Sequence, residues 1–211
     1  MTEVYLRRLS RWQAEQQRAG VADLHVSAYR GAAGAEYRDR QGFLDRFEHH
    51  VQQIGFDMVV ADAGGLAGCA YGFQVERTGE WWSDFRGELP TDIEELTASG
   101  RTFLLAELMV LPAHRRLGVA TLLSERLLAR LDADLVIAAV DLEGPDDEEG
   151  YEGSTGGEGG GAGHRGSGGS GGRPVNAAQE TVRAWGWSKL GVLAPHSPSY
   201  GREVWIRRPI R

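Results

Sequence analysis

The residues best suited to hold a ligand lie where an apolar stretch meets an amphipathic one. The junction reads Arg115-Arg116-Leu117-Gly118-Val119-Ala120-Thr121. The first turn of a helix presents backbone N–H groups without intrahelical acceptors and the positive end of the helix dipole. Gly118 and Ala120 leave those amides accessible, and Arg115 and Arg116 add positive charge. The junction therefore predicts a phosphate or pyrophosphate site.

The elements that position this turn have the clearest patterns in the sequence. Residues 102–111 are apolar almost throughout, which is typical of a central strand covered on both faces. Pro112 ends that strand, and residues 118–131 carry apolar side chains at helical spacing. Residues 135–140 predict the next buried strand.

The rest of the chain predicts a mixed α/β protein with helices on the faces of a sheet. Residues 6–29 predict one or two helices, and residues 41–54 predict another. Two strands, 56–61 and 66–75, flank a Gly-Gly turn and predict a hairpin. The remaining predictions are an irregular segment at 76–101, a helix at 177–185 and a final strand pair at 187–193 and 203–208.

Two common nucleotide-binding signatures do not apply to this sequence. A P-loop needs a lysine after glycine, and the only lysine, Lys189, follows Ser188. A G-x-G-x-x-G match at residues 161–166 lies inside a glycine-rich tract, with no strand before it and no helix after it. We attribute that match to chance.

The junction instead resembles the GNAT superfamily of acyl-CoA-dependent N-acetyltransferases. Residues 115–120 fit [R/Q]-x-x-G-x-[G/A], and Leu108-x-Val110-x-Pro112 fits the strand end that accompanies it, so the resemblance covers residues 102–131. Residues 66–73 resemble the strand that precedes this motif. Residues 176–187 resemble a later family segment, except that Val182 stands where the family often has tyrosine.

The resemblance implies a mixed, mostly antiparallel sheet that is splayed open between the central strand and the strand at 134–141. Acetyl-CoA, the co-substrate, would lie in that gap, with its pantetheine on the backbone of the central strand and its pyrophosphate on the turn. No metal is implied. The candidate cofactor-binding residues are Leu108, Met109, Val110, Arg115, Arg116, Leu117, Gly118, Val119, Ala120 and Thr121.

Glu107 is the candidate catalytic residue, because it is the only acidic residue in the apolar strand and the family often uses a glutamate there as the base. Burial would raise its pKa toward neutrality. A structural role is the alternative, with Glu107 paired to Arg101, Arg183 or Arg202. The sequence does not identify the general acid that would protonate the leaving thiolate: it could be Tyr200, another side chain or water, or the reaction could use none.

Other reactive side chains have plainer interpretations. His49 and His50 are neighbours on one helix and cannot both face one metal, and Cys69 is expected to be a small core residue. His114 is expected to face solvent. Three aromatic residues, Trp81, Trp82 and Phe85, form either part of an acceptor wall or a hydrophobic lid over the core.

The composition of the chain limits its organisation and its partners. Residues 143–173 hold 14 of the 30 glycines and seven acidic residues against two arginines, which predicts a flexible acidic insertion within one domain spanning residues 1–211. The remaining residues are nearly neutral, so neither nucleic acid nor membrane is expected as a partner. A DNA-binding role for the N-terminal arginines is therefore disfavoured.

The sequence as a whole predicts a cytoplasmic acyltransferase that transfers acetyl from acetyl-CoA directly to a primary amine. The acceptor would be a small molecule or a peptide, and a homodimer is compatible with the sequence. The alternative is an acyl-CoA-binding sensor or regulatory module on the same fold that has lost catalysis, which the absent tyrosine at Val182 would explain.

Overall fold

A computed structural model of the chain describes residues 3–29, 39–76, 80–141, 177–194 and 201–208. The predicted insertion at 143–173 lies outside the described residues, as do Asn176 and Tyr200. The strands are β1 (Tyr5–Leu9), β2 (Asp57–Asp62), β3 (Leu66–Gln74), β4 (Thr102–Val110), β5 (Leu135–Asp141), β6 (Ser188–Leu193) and β7 (Arg202–Arg207). The α-helices are α1 (Arg11–Gln16), α2 (Arg18–Ala28), α3 (Arg40–Val51), α4 (Thr91–Ala98), α5 (Val119–Leu128) and α6 (Ala177–Ala184).

The seven strands form one sheet in the order β1-β2-β3-β4-β5-β7-β6. β4 and β5 run parallel, with α5 as their crossover, and the other neighbouring strands are antiparallel. The predicted hairpin is confirmed as β2–β3, and the predicted final strand pair as β6–β7. The fold class predicted from the sequence, a mixed and mostly antiparallel sheet flanked by helices, is therefore confirmed.

The helices cover both faces of the sheet. On one face, α5 and α6 pack on a core that includes Leu105, Val136 and Trp205. On the other face, α1, α2 and α3 cover the half of the sheet that contains β2 and β3. A second cluster on that face contains Trp82 and Ile93 over β4 and β5. None of the helices in the described parts of the chain is both long and apolar enough to cross a membrane.

The helical prediction for residues 6–29 is wrong at its start, because Tyr5–Leu9 forms the edge strand β1. Its residues pair in register with β2, and Arg8 forms an ion pair with Asp57 of β2. Cross-strand pairing therefore outweighs the local composition. The boundary has a signal in the sequence: the Ser10 side chain accepts from the Gln13 amide, and the Gln13 side chain accepts from the Ser10 amide.

The irregular prediction for residues 76–101 missed α4. This helix begins directly after Pro90, carries Asp92 and Glu94 in its first turn, and is followed by Gly100 at φ 69°. Acidic residues stabilise the N-terminal end of a helix, and glycine stops it by adopting positive φ. Buried Ile93 and Thr97 hold the helix to the core, so the missed helix is a short one fixed by packing.

Candidate active site

The candidate site begins where β4 and β5 separate. The two strands pair from Thr102 opposite Leu135 to Leu105 opposite Ala138. Beyond that point β4 remains paired with β3 up to Val110, whereas β5 remains paired with β7 up to Asp141. The second half of β4 therefore borders an opening in the sheet, at the position predicted from the family resemblance.

A β-bulge in β4 sits at the start of this opening. Tyr71 of β3 pairs with Glu107 and Gly72 pairs with Leu105, which leaves Ala106 as the extra residue. Gly72 is required there, because a Cβ at that position would collide with the Leu104 carbonyl oxygen. The bulge changes the direction of β4 at the residue before Glu107.

The turn after β4 exposes its backbone amides. A 3₁₀ turn, Pro112–His114, leads to Arg116 and Gly118, both with positive φ (63° and 77°). Gly118 is the N-cap of α5 and offers no side-chain cap, and the first bond into the helix runs from Leu122 N to Gly118 O. The amides of Val119, Ala120 and Thr121 therefore have no intrahelical acceptor.

The space above Gly118 is open, since a Cβ built there meets no atom within 4 Å. Arg115, Arg116 and Leu117 are all exposed beside it, and Arg115 also bonds to the backbone of other elements. Arg115 donates from Nε to the Val110 carbonyl oxygen (3.1 Å) and from Nη2 to the Ala28 carbonyl oxygen. The structure brings the predicted cofactor-binding residues together along the end of β4 and the first turn of α5.

Glu107 is half-buried at the start of the opening, and the Tyr29 hydroxyl lies 3.5 Å from its Oε2. Burial raises the pKa of Glu107 to about 7, although the charges of Arg46 and Arg202 and the Tyr29 hydroxyl oppose that rise. A carboxyl group with this pKa is about half ionised at neutral pH. It can accept a proton or donate one under ordinary conditions.

Within the described residues Glu107 forms no ion pair with any of the three arginines considered as structural partners. Arg101 pairs with Asp134, and the Arg183 guanidinium lies 5.7 Å from the centroid of the Trp205 ring. Arg202 affects Glu107 through its charge alone. In the described part of the chain, none of these three arginines is thus the ion-pair partner that the structural alternative requires.

Sequence reasoning missed four residues that surround Glu107. Tyr71 lies opposite it on β3 and is fully buried, and the Tyr71 hydroxyl lies 3.3 Å from Nδ1 of His50 on α3. Burial lowers the pKa of His50 to about 4, so the imidazole is neutral at pH 7. With Tyr29 and Arg46, these residues come from three elements, the end of α2, α3 and β3, and only the His49-His50 pair had a recognisable signal in the sequence.

The other candidate side chains play smaller parts. Val182, at the family's tyrosine position, is buried in the core beside Trp187 and Trp205 and carries no acidic proton. Cys69 is confirmed as a buried core residue, and burial raises the pKa of its thiol. His49 is exposed and His114 is partly exposed. No group of three or more potential metal ligands occurs among the residues described.

The aromatic cluster has one buried member and two half-buried ones. Trp82 belongs to the core, where Trp81 packs edge-on against it at 4.5 Å and Phe85 at 5.8 Å. Ala106 of the bulge contacts both this cluster and the core beneath α2 and α3. Ala106, one residue before Glu107, thus lies where the two clusters meet. The three aromatic residues pack against the core, and their part in an acceptor wall stays a prediction.

Two surface hollows lie away from this opening. One, of about 490 Å³, is beside α4, where Arg208 pairs with Asp92 and Arg101 pairs with Asp134. The other, of about 280 Å³, is lined by Asp57 and Gln74 among others, at the opposite ends of the strands. Neither contains the grouped reactive side chains found around Glu107.

Solved structures with the same architecture identify the fold. A GNAT-like decarboxylase, GphF, in complex with isobutyryl-CoA matches with a TM-score of 0.59 and 18% identity over 97% of this chain and 98% of that one. The loading GNATL domain of CurA from Lyngbya majuscula matches with a TM-score of 0.59 and 14% identity, over 98% of each chain. A GNAT-family protein from Desulfovibrio desulfuricans matches with a TM-score of 0.57 and 16% identity, over 98% of this chain and 99% of that one.

No protein-family model matches the sequence, and no curated protein matches it significantly. The structural matches nevertheless extend over nearly the full length of both chains. The chain has the GNAT fold, and the resemblance drawn from residues 102–131 is confirmed at the level of the fold.

Proposed function

We propose that this protein is an acyl-CoA-dependent acyltransferase that transfers the acetyl group of acetyl-CoA to a primary amine, with Glu107 as the general base. One observation carries the proposal. The second half of β4 borders the opening in the sheet, with a proton-accepting carboxyl group at its start and a turn of unpaired amides after its end. β4 thus connects the candidate base, Glu107, to the candidate anion site in the turn that follows the strand.

The opening and the turn fit acetyl-CoA. The unpaired amides of the first turn of α5, together with the exposed Arg116, suit the pyrophosphate group, and the open space above Gly118 admits it. The backbone of Leu108, Met109 and Val110 would hold the pantetheine arm. Acetyl-CoA supplies an activated acetyl thioester.

Glu107 would remove a proton from the attacking amine. An amine attacks through its lone pair, so the nitrogen must be unprotonated when the new bond to carbon forms. The carboxylate of Glu107 takes up the proton that nitrogen loses, and the thiolate of CoA leaves as the carbon–sulfur bond breaks. A pKa of about 7 keeps a large share of Glu107 ionised at neutral pH while preserving its ability to bind that proton.

The test has two parts. Thermal unfolding is measured with increasing acetyl-CoA, which should raise the midpoint because a ligand that binds only the folded state stabilises it. Release of free thiol is then followed with a panel of amines, and at least one amine should accelerate it. If acetyl-CoA did not stabilise the protein, the proposal would fail; binding without turnover on any amine would support the sensor alternative.

A second candidate is decarboxylation of a carboxylated acyl-CoA, and the state of Glu107 favours it. Loss of CO₂ from a carboxylate β to the thioester carbonyl leaves an enolate, and a half-protonated carboxyl group can donate the proton that the enolate carbon needs. GphF, a decarboxylase, shares this fold. Mass spectrometry of malonyl-CoA after incubation decides between the two: conversion to acetyl-CoA faster than without enzyme supports decarboxylation, and unchanged malonyl-CoA excludes it.

A further inference from the structure

Arg115 connects the β4–α5 turn to a helix end 87 residues earlier in the chain. The residue lies in the turn between β4 and α5, its Nε donates to Val110 at the end of β4, and its Nη2 donates to Ala28 at the end of α2. One guanidinium group thus joins the candidate pyrophosphate turn to the end of α2, which packs on the face of the sheet that carries Glu107 and Tyr71. A planar group with several fixed donors is suited to this task.

The contact with Arg115 stabilises the C-terminal end of α2. The last carbonyl groups of a helix lack intrahelical donors and carry the negative end of the helix dipole, so a cation with N–H groups stabilises them. Arg115 supplies both to Ala28. The next residue is Tyr29, whose amide closes the helix onto His25 and whose hydroxyl lies 3.5 Å from Glu107.

We propose that Arg115 is a positioning residue that fixes the end of α2, and with it the Tyr29 hydroxyl, against Glu107. The Arg115 side chain thus helps to position the group next to Glu107, the candidate base, and it also brings positive charge to the turn. The catalytic consequence rests on the proposed function, whereas the contact itself does not.

The observable consequence is the proton affinity of Glu107. The hydroxyl of Tyr29 donates to the ionised carboxylate and therefore favours it, so a displaced Tyr29 leaves Glu107 with a higher pKa. Glu107 also faces Tyr71 and Cys69 of β3, Arg46 of α3 and Arg202 of β7, while Asp141 of β5 acts on Tyr29. None of these groups is altered by a change at Arg115.

The test is a ¹³C NMR titration of the Glu107 carboxyl carbon in the ligand-free protein, with the signal assigned by Glu107→Gln. Arg115→Lys keeps the positive charge but cannot reproduce two donors at fixed positions. The matched control is Arg116→Lys, because Arg116 is the adjacent exposed arginine in the same turn. Tyr29→Phe defines the effect of losing the hydroxyl.

We expect the midpoint of the titration to rise in Tyr29→Phe, to rise in Arg115→Lys and to stay unchanged in Arg116→Lys. In the double variant Arg115→Lys/Tyr29→Phe, the midpoint should equal that of Tyr29→Phe, since both changes act through one hydroxyl. Should Arg115→Lys fail to fold, Arg115→Gln, which retains an N–H donor, replaces it with the same expected rise.

The proposal is overturned if Arg115→Lys titrates like the wild type while Tyr29→Phe does not, or if the two changes add in the double variant. It is also overturned if Tyr29→Phe leaves the midpoint unchanged. Because the protein contains no acyl-CoA in this titration, absence of acetyltransferase activity leaves the result unaffected. Failure of the positioning role and failure of the proposed function are thus separate outcomes.

Discussion

The two sides of β4 are built by different means. On the side of α5, the candidate anion site consists mainly of backbone groups from one continuous stretch, residues 108–121. On the side of α2 and α3, the surroundings of Glu107 are side chains from three elements: Tyr29 at the end of α2, Arg46 and His50 on α3, and Tyr71 on β3. A shared co-substrate can be held by local backbone geometry, whereas the reaction with a particular acceptor depends on side chains assembled by the fold.

The largest effect is expected on turnover, when Glu107 itself is replaced. Glu107→Gln keeps the shape of the side chain but removes its ability to take a proton, so turnover with a reactive amine should fall by about 100- to 10,000-fold. Acetyl-CoA affinity should change less than about twofold, because the anion site is built elsewhere. Steady-state kinetics and calorimetric titration measure the two quantities. Unchanged turnover would reassign Glu107 to a structural role.

The second effect is a loss of acetyl-CoA affinity at the candidate anion site, which consists mainly of backbone groups. Gly118→Glu places a carboxylate over the unpaired amides and strains a residue at φ 77°, so acetyl-CoA affinity should fall by at least roughly 100-fold. Gly64→Glu is the matched control, because Gly64 has φ 84° and open space in the β2–β3 turn. Calorimetric titration should show near-normal affinity in the control; equal affinity in both variants would remove the anion site from this turn.

The third effect is a change in the free energy of unfolding when a residue at the β4 bulge is replaced. Gly72→Ala forces the Leu104 carbonyl to move and should lower the free energy of unfolding by about 2 kcal/mol. Gly20→Ala, at a helical position with no atom near the new methyl group, should instead raise it by about 0.5–1 kcal/mol. Urea unfolding compares the pair. Equal shifts of one sign would argue against the bulge geometry.

The last effect is a pH dependence of the free energy of unfolding. The pKa of Glu107 is about 7 in the folded protein against an ordinary 4.5, so the unfolded chain ionises first and folding is penalised as pH rises between these values. Glu107→Gln removes this penalty. Its advantage in unfolding free energy should grow by roughly 3 kcal/mol from pH 4.5 to pH 7.5. An advantage independent of pH would mean that Glu107 has an ordinary pKa.

The same contrast explains what the sequence could reveal. In the β4–turn–α5 segment, the strand and the start of the helix were predicted to within one residue and the end of the helix to within three. A run of apolar residues, a proline and a glycine define the strand, its stop and the helix start locally. Glu107 was recognised as the acidic residue in an apolar strand. Its partner Tyr29 lies 78 positions earlier in the chain, and no local pattern encodes that contact.

The errors in the secondary-structure prediction have a related origin. β1 is a five-residue edge strand held by its partner β2, and α4 is an eight-residue helix held by Ile93 and Thr97. Elements this short derive most of their stability from packing, so their composition alone does not define them. Arg115 shows the same limit for side chains: its position in the motif predicts a phosphate neighbour, and the fold directs it to Ala28.

A crystal structure with CoA and an amine analogue tests the account most directly. We predict the pyrophosphate on the amides of residues 118–121, the sulfur in the opening between β4 and β5, and the amine within hydrogen-bond distance of Glu107. CoA bound elsewhere on the chain, or an amine remote from Glu107, would contradict the proposal that β4 joins the two halves of the site.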